Sequence, residues 1–160
     1  MTDEFRHRTR VEVRFRDLDA LDHVNNAVIA TYVEQARVTY LREVLHVDSL
    51  GEMGASGHAA GASPILRPWI LAMLKIDYET PILFGEAVEI ETRVDWIGRT
   101  SVGMTHRLSG GAPVRVMAHA EAVLVGYDYE QHRPQPVPDA TRRLLEAHEG
   151  HALARKAVAG

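Results

Sequence analysis

Residues 10 to 45 read RVEVRFR–DLDALDHVNN–AVIATYVEQARVTYLREVL, and three patterns follow one another within them. In the first, Val11, Val13 and Phe15 alternate with Glu12, Arg14 and Arg16. A period of two predicts a half-buried strand over 10–16. The second, Asp17 to Asn26, packs acids, a His and two Asn into ten residues. That polarity excludes a core strand and predicts a loop ending in helix-capping chemistry, since an Asn side chain accepts the orphan amides of a first helical turn. The third predicts a helix from about Asn26 to Leu45. Ile29, Val33, Ala36, Tyr40 and Val44 follow the 3.6-residue period, with Tyr32 and Leu41 widening the stripe. Glu34 and Arg37 form an i, i+3 pair on its surface.

Further along, residues 51–64 (GEMGASGHAAGASP) predict a flexible connection, or a weak helix and a loop. From Ile70 the period returns to two. Ile70, Ala72, Leu74, Ile76 and Tyr78 form one strand. Val88, Ile90, Thr92, Val94 and Trp96 form a second, and Val102, Met104, His106 and Leu108 a third. Val114, Val116, Ala118, Ala120, Ala122 and Leu124 form the last. Short turns at Ile97-Gly98-Arg99 and Ser109–Pro113 join three of them, so the sheet is expected to be largely antiparallel, with four strands in meander after the helix. The Pro-rich stretch Arg133–Pro138 precedes a short amphipathic helix from about Asp139 to His148, and the last dozen residues are expected to fray. This order describes an α+β arrangement, one sheet with one long helix on it. One domain is expected over 1–150, with a tail over 151–160.

Composition narrows the chemistry. The chain has 160 residues, 46% of them apolar and 25% charged, with a net charge of −4. These are globular values, and the negative balance argues against nucleic acid as a partner. Of 18 basic residues only Lys75 and Lys156 are Lys. There are no cysteines, which removes disulfides, thiolate metal sites and a thiol nucleophile. The N-terminal residues lack an apolar stretch of the signal-peptide kind, and no run approaches the roughly 20 apolar residues of a membrane span. The expected location is therefore cytoplasmic. No repeat, Walker loop or GxGxxG stands in the chain, so nucleotide cofactors are not expected.

Candidate chemistry concentrates in 17–26. Asp19 lies just past the first strand and seven residues before the helix start. A loop of that length can turn its carboxylate toward the helix N-terminus, where free amides and the macrodipole hold developing negative charge. A carboxylate beside such amides is equipment for acyl transfer: the amides bind the oxyanion and the carboxylate attacks the carbonyl or activates water. Asp19, Asp22 and His23 also suit plain loop and capping roles, and spacing does not separate the two. Asp17, Asp19, Asp22 and His23 could ligate a divalent metal, but no second cluster at ligand spacing accompanies them, so no metal is expected. The D-x-D after a strand also suits a haloacid-dehalogenase phosphotransferase, but that strand would be wholly apolar, and Arg14 and Arg16 alternate within this one.

The string Val13-Arg-Phe-Arg-Asp17-Leu-Asp19-Ala-Leu-Asp22-His23-Val-Asn25-Asn26, followed by Tyr32-Val-Glu34-Gln-Ala36-Arg37, resembles the hotdog-fold acyl-CoA thioesterases of the 4-hydroxybenzoyl-CoA thioesterase branch. Their pattern is roughly R-[FY]-x-D-x-D-x-x-G-H-V-N-N, then Y-x-x-[YF]-x-E-x-A-R. Ile76-Asp77-Tyr78-x-x-Pro81, Gly85-Glu86-x-Val88 and Ser101-Val102 are later landmarks, so the likeness spans about Val11 to Tyr127. It implies a hotdog fold, a long central helix wrapped by a five-stranded antiparallel sheet, in homodimers or homotetramers with active sites at the dimer interface. It implies hydrolysis of an acyl-CoA or acyl-carrier thioester without a cofactor. Asp19, the second Asp of D-x-D, becomes general base or nucleophile, and the amide near Asn26 polarises the carbonyl. His23 and Asn25 match the H-V-N-N subgroup and would position carboxylate, water or thioester. Some members carry His where this chain has Asn26, so a His-assisted step is not supported there. Arg67 and Arg99 are candidates for CoA phosphates.

One departure stands out. The family usually has Gly at the position of Asp22. Gly permits a positive φ, which Asp tolerates better than most residues. Asp22 also places a second negative charge beside Asp19. It keeps open a non-catalytic hotdog module that binds acyl or CoA groups, or serves as an assembly subunit. A hotdog dehydratase would rely on a catalytic His in another setting; here His23 sits within the thioesterase motif.

Overall fold

The long helix forms where its period places it. In a computed structural model, which describes residues 4–46 and 68–156, α1 spans Asn26–Val44. Ile29, Val33, Ala36, Tyr40 and Val44 are all buried along it. Five long strands accompany it: β1 (His7–Glu12), β2 (Trp69–Tyr78), β3 (Ala87–Ile97), β4 (Ser101–Gly110) and β5 (Arg115–Asp128). A two-residue β6 (Arg133–Pro134) pairs with β5, and a second helix, α2, spans Asp139–Glu149. The sheet is antiparallel, in the order β1-β3-β4-β5-β2, with β6 beside β5.

That order departs from a simple meander. β3, β4 and β5 follow one another through short turns, but β2 lies at the far edge, beside β5. The end of β2 shows why: the N–H groups of Glu79 and Thr80 both donate to the Met117 carbonyl, at 2.9 and 3.2 Å. The segment from 79 to 86 then returns the chain to β3. As an edge strand β2 leaves Leu71 and Met73 exposed.

The first strand also differs from its alternating pattern. It ends at Glu12, and Phe15–Asp17 forms a 3-10 turn. The Asp17 carboxylate accepts the Arg14 backbone N–H at 2.9 Å. This local bond takes the donor a strand would need and turns the chain. Phe15, expected to face the core, is 78% exposed.

The helix and the four long strands after it run through two compact units of the chain. One comprises residues 1–40, 75–93 and 105–121; the other comprises 41–74, 94–104 and 122–160. In the first, β1 pairs antiparallel with β3, with His7 opposite Thr92 and Val11 opposite Val88. Its interior holds Val11, Ile29, Val33, Val88, Ile90 and Leu108. In the second, α2 buries Leu145, and the Glu149 carboxylate accepts the Val94 N–H at 2.9 Å. Gly103 makes room there for the Trp96 indole, which a side-chain Cβ would overlap. The segment after α2 is pinned rather than frayed as far as it is described. Ala154 bridges to Trp96, its carbonyl accepts the Ile97 N–H at 3.0 Å, and Leu153 is buried. The connection at 51–64 and Arg67 lie outside the described residues.

Candidate active site

The polar segment 17–25 is a small hairpin, not an open loop. Leu18 bridges Val24; on either side the Asp19 N–H donates to the His23 carbonyl and the Asn25 N–H to the Asp17 carbonyl, each at 2.9 Å. The tip is three residues, Ala20, Leu21 and Asp22, and the Asp22 N–H returns to the Asp19 carbonyl at 3.2 Å. A three-residue hairpin loop of this kind ends in a left-handed residue. Asp22 is that residue, with φ of 60°. The position therefore demands what glycine supplies freely, and Asp meets the demand at some strain. Asp22→Gly is expected to leave the melting temperature unchanged or slightly higher, while Asp22→Val costs about 1–2 kcal/mol. Thermal unfolding of the two variants checks this; a Val variant as stable as the Gly variant would refute the conformational account.

The hairpin separates its two acids. Asp17 is buried and its carboxylate is fully engaged. Tyr32 Oη donates to it at 2.6 Å, Arg14 Nη2 at 3.0 Å and Arg14 Nε at 3.2 Å, besides the Arg14 N–H. Burial alone would raise this carboxyl, but the bonds from Arg14 and Tyr32 outweigh it and hold it at about 2. Burial pushes the Tyr32 phenol up, and its bond to Asp17 adds to the rise. Asp17 is thus a structural anion. Asp19 is not so enclosed. Its Oδ1 accepts the Leu21 N–H at 2.8 Å, and its Oδ2 lies 3.6 Å from His23 Nδ1, with the Asp19 side chain 23% exposed. Among the described residues Oδ2 accepts no hydrogen bond, so it is available to a ligand.

The helix start completes the arrangement. Asn25 caps α1: its Oδ1 accepts the Ala27 N–H at 2.8 Å, and its carbonyl accepts those of Val28 and Ile29 at 2.8 and 3.2 Å. Among the described residues the Asn26 N–H has no acceptor, which makes it the open donor of the first turn. Tyr78 Oη donates to the Asn26 carbonyl at 3.3 Å. The pairing sets Asp19 opposite His23, two residues along the hairpin from the Asp17–Asn25 pair that abuts the helix. Asp19, His23, Asn25 and Asn26 therefore fall in one small structure. Arg99 is exposed in the turn between β3 and β4, in the second unit.

A neighbouring turn braces the hairpin. Val24 donates to the Ile82 carbonyl at 2.8 Å, and His23 bridges Leu83. That turn is held by Glu86, whose Oε2 accepts the Leu83 N–H at 2.8 Å. Arg115 grips both Glu86 oxygens at 2.8 and 3.0 Å and donates to the Pro81 carbonyl at 2.7 Å. The Arg115 hydrogen bonds hold the Glu86 carboxyl below its usual range. In the sequence Glu86 stands in a family landmark and Tyr32 in both the apolar stripe and the Tyr32–Arg37 block of the resemblance, but nothing there marks Arg115. The Arg14-x-x-Asp17 spacing was a readable signal; a partner 29 residues from Glu86 was not. Among the described residues no group of three His, Asp or Glu side chains is arranged to hold a metal ion. No described helix is long and apolar enough to cross a membrane.

Comparison with known proteins bears on this geometry. Residues 13–145 match the thioesterase-like superfamily. A thioesterase from Thermus thermophilus, solved with coenzyme A and Zn, is 37% identical with a TM-score of 0.76, covering 95% of this chain and all of that one. The PA2801 protein of Pseudomonas aeruginosa, assigned as a thioesterase, is 26% identical with a TM-score of 0.72, over 88% of this chain and 98% of that one. A thioesterase-superfamily protein from Jannaschia sp. CCS1 has a TM-score of 0.73 at 24% identity, over 92% of this chain and 85% of that one, and shares the fold. No curated protein sequence matches the chain.

Proposed function

The chain belongs to the thioesterase-like superfamily, and from that premise we propose that it hydrolyses an acyl-CoA or acyl-carrier thioester to a free acid and a thiol. What supports the reading is an available carboxylate and an open amide within one short hairpin and the helix start that follows it. Asp19 Oδ2 is free to act, and the Asn26 N–H is the first-turn donor that the Asn25 cap leaves over. The coenzyme A held by the Thermus relative supports a CoA thioester as substrate.

In this mechanism the Asn26 N–H donates to the thioester carbonyl oxygen and stabilises the oxyanion as the carbonyl carbon becomes tetrahedral. Asp19 acts as general base, taking a proton from the attacking water, or as nucleophile, forming an anhydride that water then opens. As base it returns the proton to the departing thiolate when the C–S bond breaks, so the cycle closes without a cofactor. Asn25 fixes the helix start, and His23 lies beside the Asp19 carboxylate.

The protein is proposed to act as a homo-oligomer. Phe15, Leu21, Leu83 and Phe84 are exposed around the hairpin, and Phe15 and Phe84 meet edge to face at 6.0 Å. Among the described residues the ten-residue edge strand β2 has no partner on its outer side, the kind of edge a second copy can cover.

The test is hydrolysis of a panel of acyl-CoAs, from acetyl to long-chain and aromatic, followed with a thiol reagent. Turnover on at least one is expected. Absence of turnover on every thioester, with coenzyme A still bound in calorimetry, would make the chain a binding module instead.

A further inference from the structure

The geometry points to Tyr32 and Asp17 as a positioning pair that sets Asp19 against the Asn26 amide; the inference rests on the thioesterase reading above. Asp17 is a junction. Its carboxylate takes the Tyr32 hydroxyl at 2.6 Å, and Tyr32 stands on α1, two turns beyond the helix start. Its carbonyl takes the Asn25 N–H at 2.9 Å, the residue that caps the same helix. One residue therefore holds the base of the hairpin to α1 by two bonds at different heights, one through its side chain and one through its backbone. Together with the brace from Ile82 and Leu83, these two bonds fix the base of the hairpin against the helix.

Asp19 is two residues beyond this junction and is held by little else. Its N–H bonds within the hairpin, its Oδ1 bonds to Leu21 at the tip, and its Oδ2 has only His23 nearby, at 3.6 Å. Every one of those contacts moves with the hairpin. The Ile82 and Leu83 contacts brace the hairpin from its outer side, and Asp17 is the residue that ties its base to the helix whose first amide is that of Asn26. Reactions of this type lose rate steeply when reacting groups are misplaced by about an ångström. Arg14 also grips the Asp17 carboxylate, but it precedes the hairpin in the chain and does not belong to α1. Tyr32 is the side chain that makes the connection to the helix, and it touches no reacting atom.

The experiment compares wild type, Tyr32→Phe, Asp19→Asn and the double variant, by acyl-CoA turnover and by amide hydrogen exchange. Tyr32→Phe removes one hydroxyl and keeps the ring packed. A fall in kcat of about 10- to 100-fold with KM unchanged is expected. In the Asp19→Asn background the same substitution should change little, because a device that acts through Asp19 has nothing left to position. The Asp19 and Asn25 amides should exchange about 10-fold faster in Tyr32→Phe while the β3 amides keep their protection. Thr92→Val is the control for stability alone: it deletes a buried hydrogen bond to His106 within the same unit and should lower the melting temperature without lowering kcat. An unchanged kcat in Tyr32→Phe, or a loss fully additive with Asp19→Asn, overturns the positioning role. So does unchanged exchange at Asp19 and Asn25. If the wild type turns over no thioester, the thioesterase reading fails, and the exchange result alone decides whether Tyr32 anchors the hairpin.

Discussion

Replacing Asp19 by Asn is expected to lower kcat for acyl-CoA hydrolysis at least about 100-fold, the scale of a lost general base, while leaving the fold intact. The two halves of that expectation come from the two oxygens of the carboxylate. Oδ1 accepts the Leu21 N–H that shapes the hairpin tip, and the Asn carbonyl can accept it equally well. Oδ2 is the oxygen proposed to react, and in Asn its place is taken by an amide that neither accepts a proton nor attacks a carbonyl. Substrate binding should persist, because the open Asn26 amide and the apolar surroundings are untouched. Stability should change by no more than about 1 kcal/mol, because the half-buried side chain keeps its bond to Leu21. Asp17→Asn gives the opposite profile. It puts an amide that can donate where Arg14 and Tyr32 require an acceptor, and it leaves Arg14 facing a neutral group. Water shares the loss at the half-exposed Arg14, so the main cost is the buried Tyr32 hydroxyl left with a poorer partner, about 1–3 kcal/mol, and this variant should unfold below the wild-type temperature. Steady-state kinetics and thermal unfolding of the two variants distinguish the acids; equal rates for wild type and Asp19→Asn would refute the assignment of the reacting carboxylate.

The second large effect is expected in acid. His106 is fully buried on β4, its Nδ1 3.0 Å from the Thr92 hydroxyl. Burial, with lesser repulsion from Arg37 and His7, lowers its pKa to about 3 from an ordinary 6.5. The unfolded chain takes up a proton at this His below about pH 6.5 and the folded protein does not until about pH 3, so stability falls as the pH falls through that window. Between pH 7 and 4.5 the loss is about 3 kcal/mol for two pH units of unmatched protonation. Asp17, held at about 2 against an ordinary 3.8, contributes in the same direction but only below about pH 4, because its contribution is present above the unfolded value and is lost as the pH drops toward the folded one. The two windows are separable. His106→Asn keeps an acceptor near Thr92 and removes the titration. It should be less stable than wild type at pH 7, by about 1–3 kcal/mol for the lost packing, yet lose much less between pH 7 and 4.5. Urea unfolding across that range measures both slopes, and parallel slopes would show that His106 is not the group responsible.

The sequence by itself determined the elements whose cause is local. The helix over Asn26–Val44 was legible because its apolar stripe repeats every 3.6 residues and Asn25 and Asn26 stand at its start. The second helix was legible for a similar reason. A positive φ at Asp22 was suggested only by the resemblance, whose pattern has Gly there; the hairpin that requires it came from the structure. Tertiary structure alone decided what depends on distant partners. β2 went to the far edge, where Met117, nearly forty residues on, accepts the two amides that follow it. The two acids of Asp17-Leu-Asp19 show the division most sharply. As letters they are identical carboxylates two residues apart. Tyr32, fifteen residues away, closes around one and leaves the other open, and burial with hydrogen bonds turns the first into a fixed structural anion. Only three-dimensional proximity could bring that phenol to Asp17, and so only the fold separates the acid that holds the hairpin from the acid that is free to react.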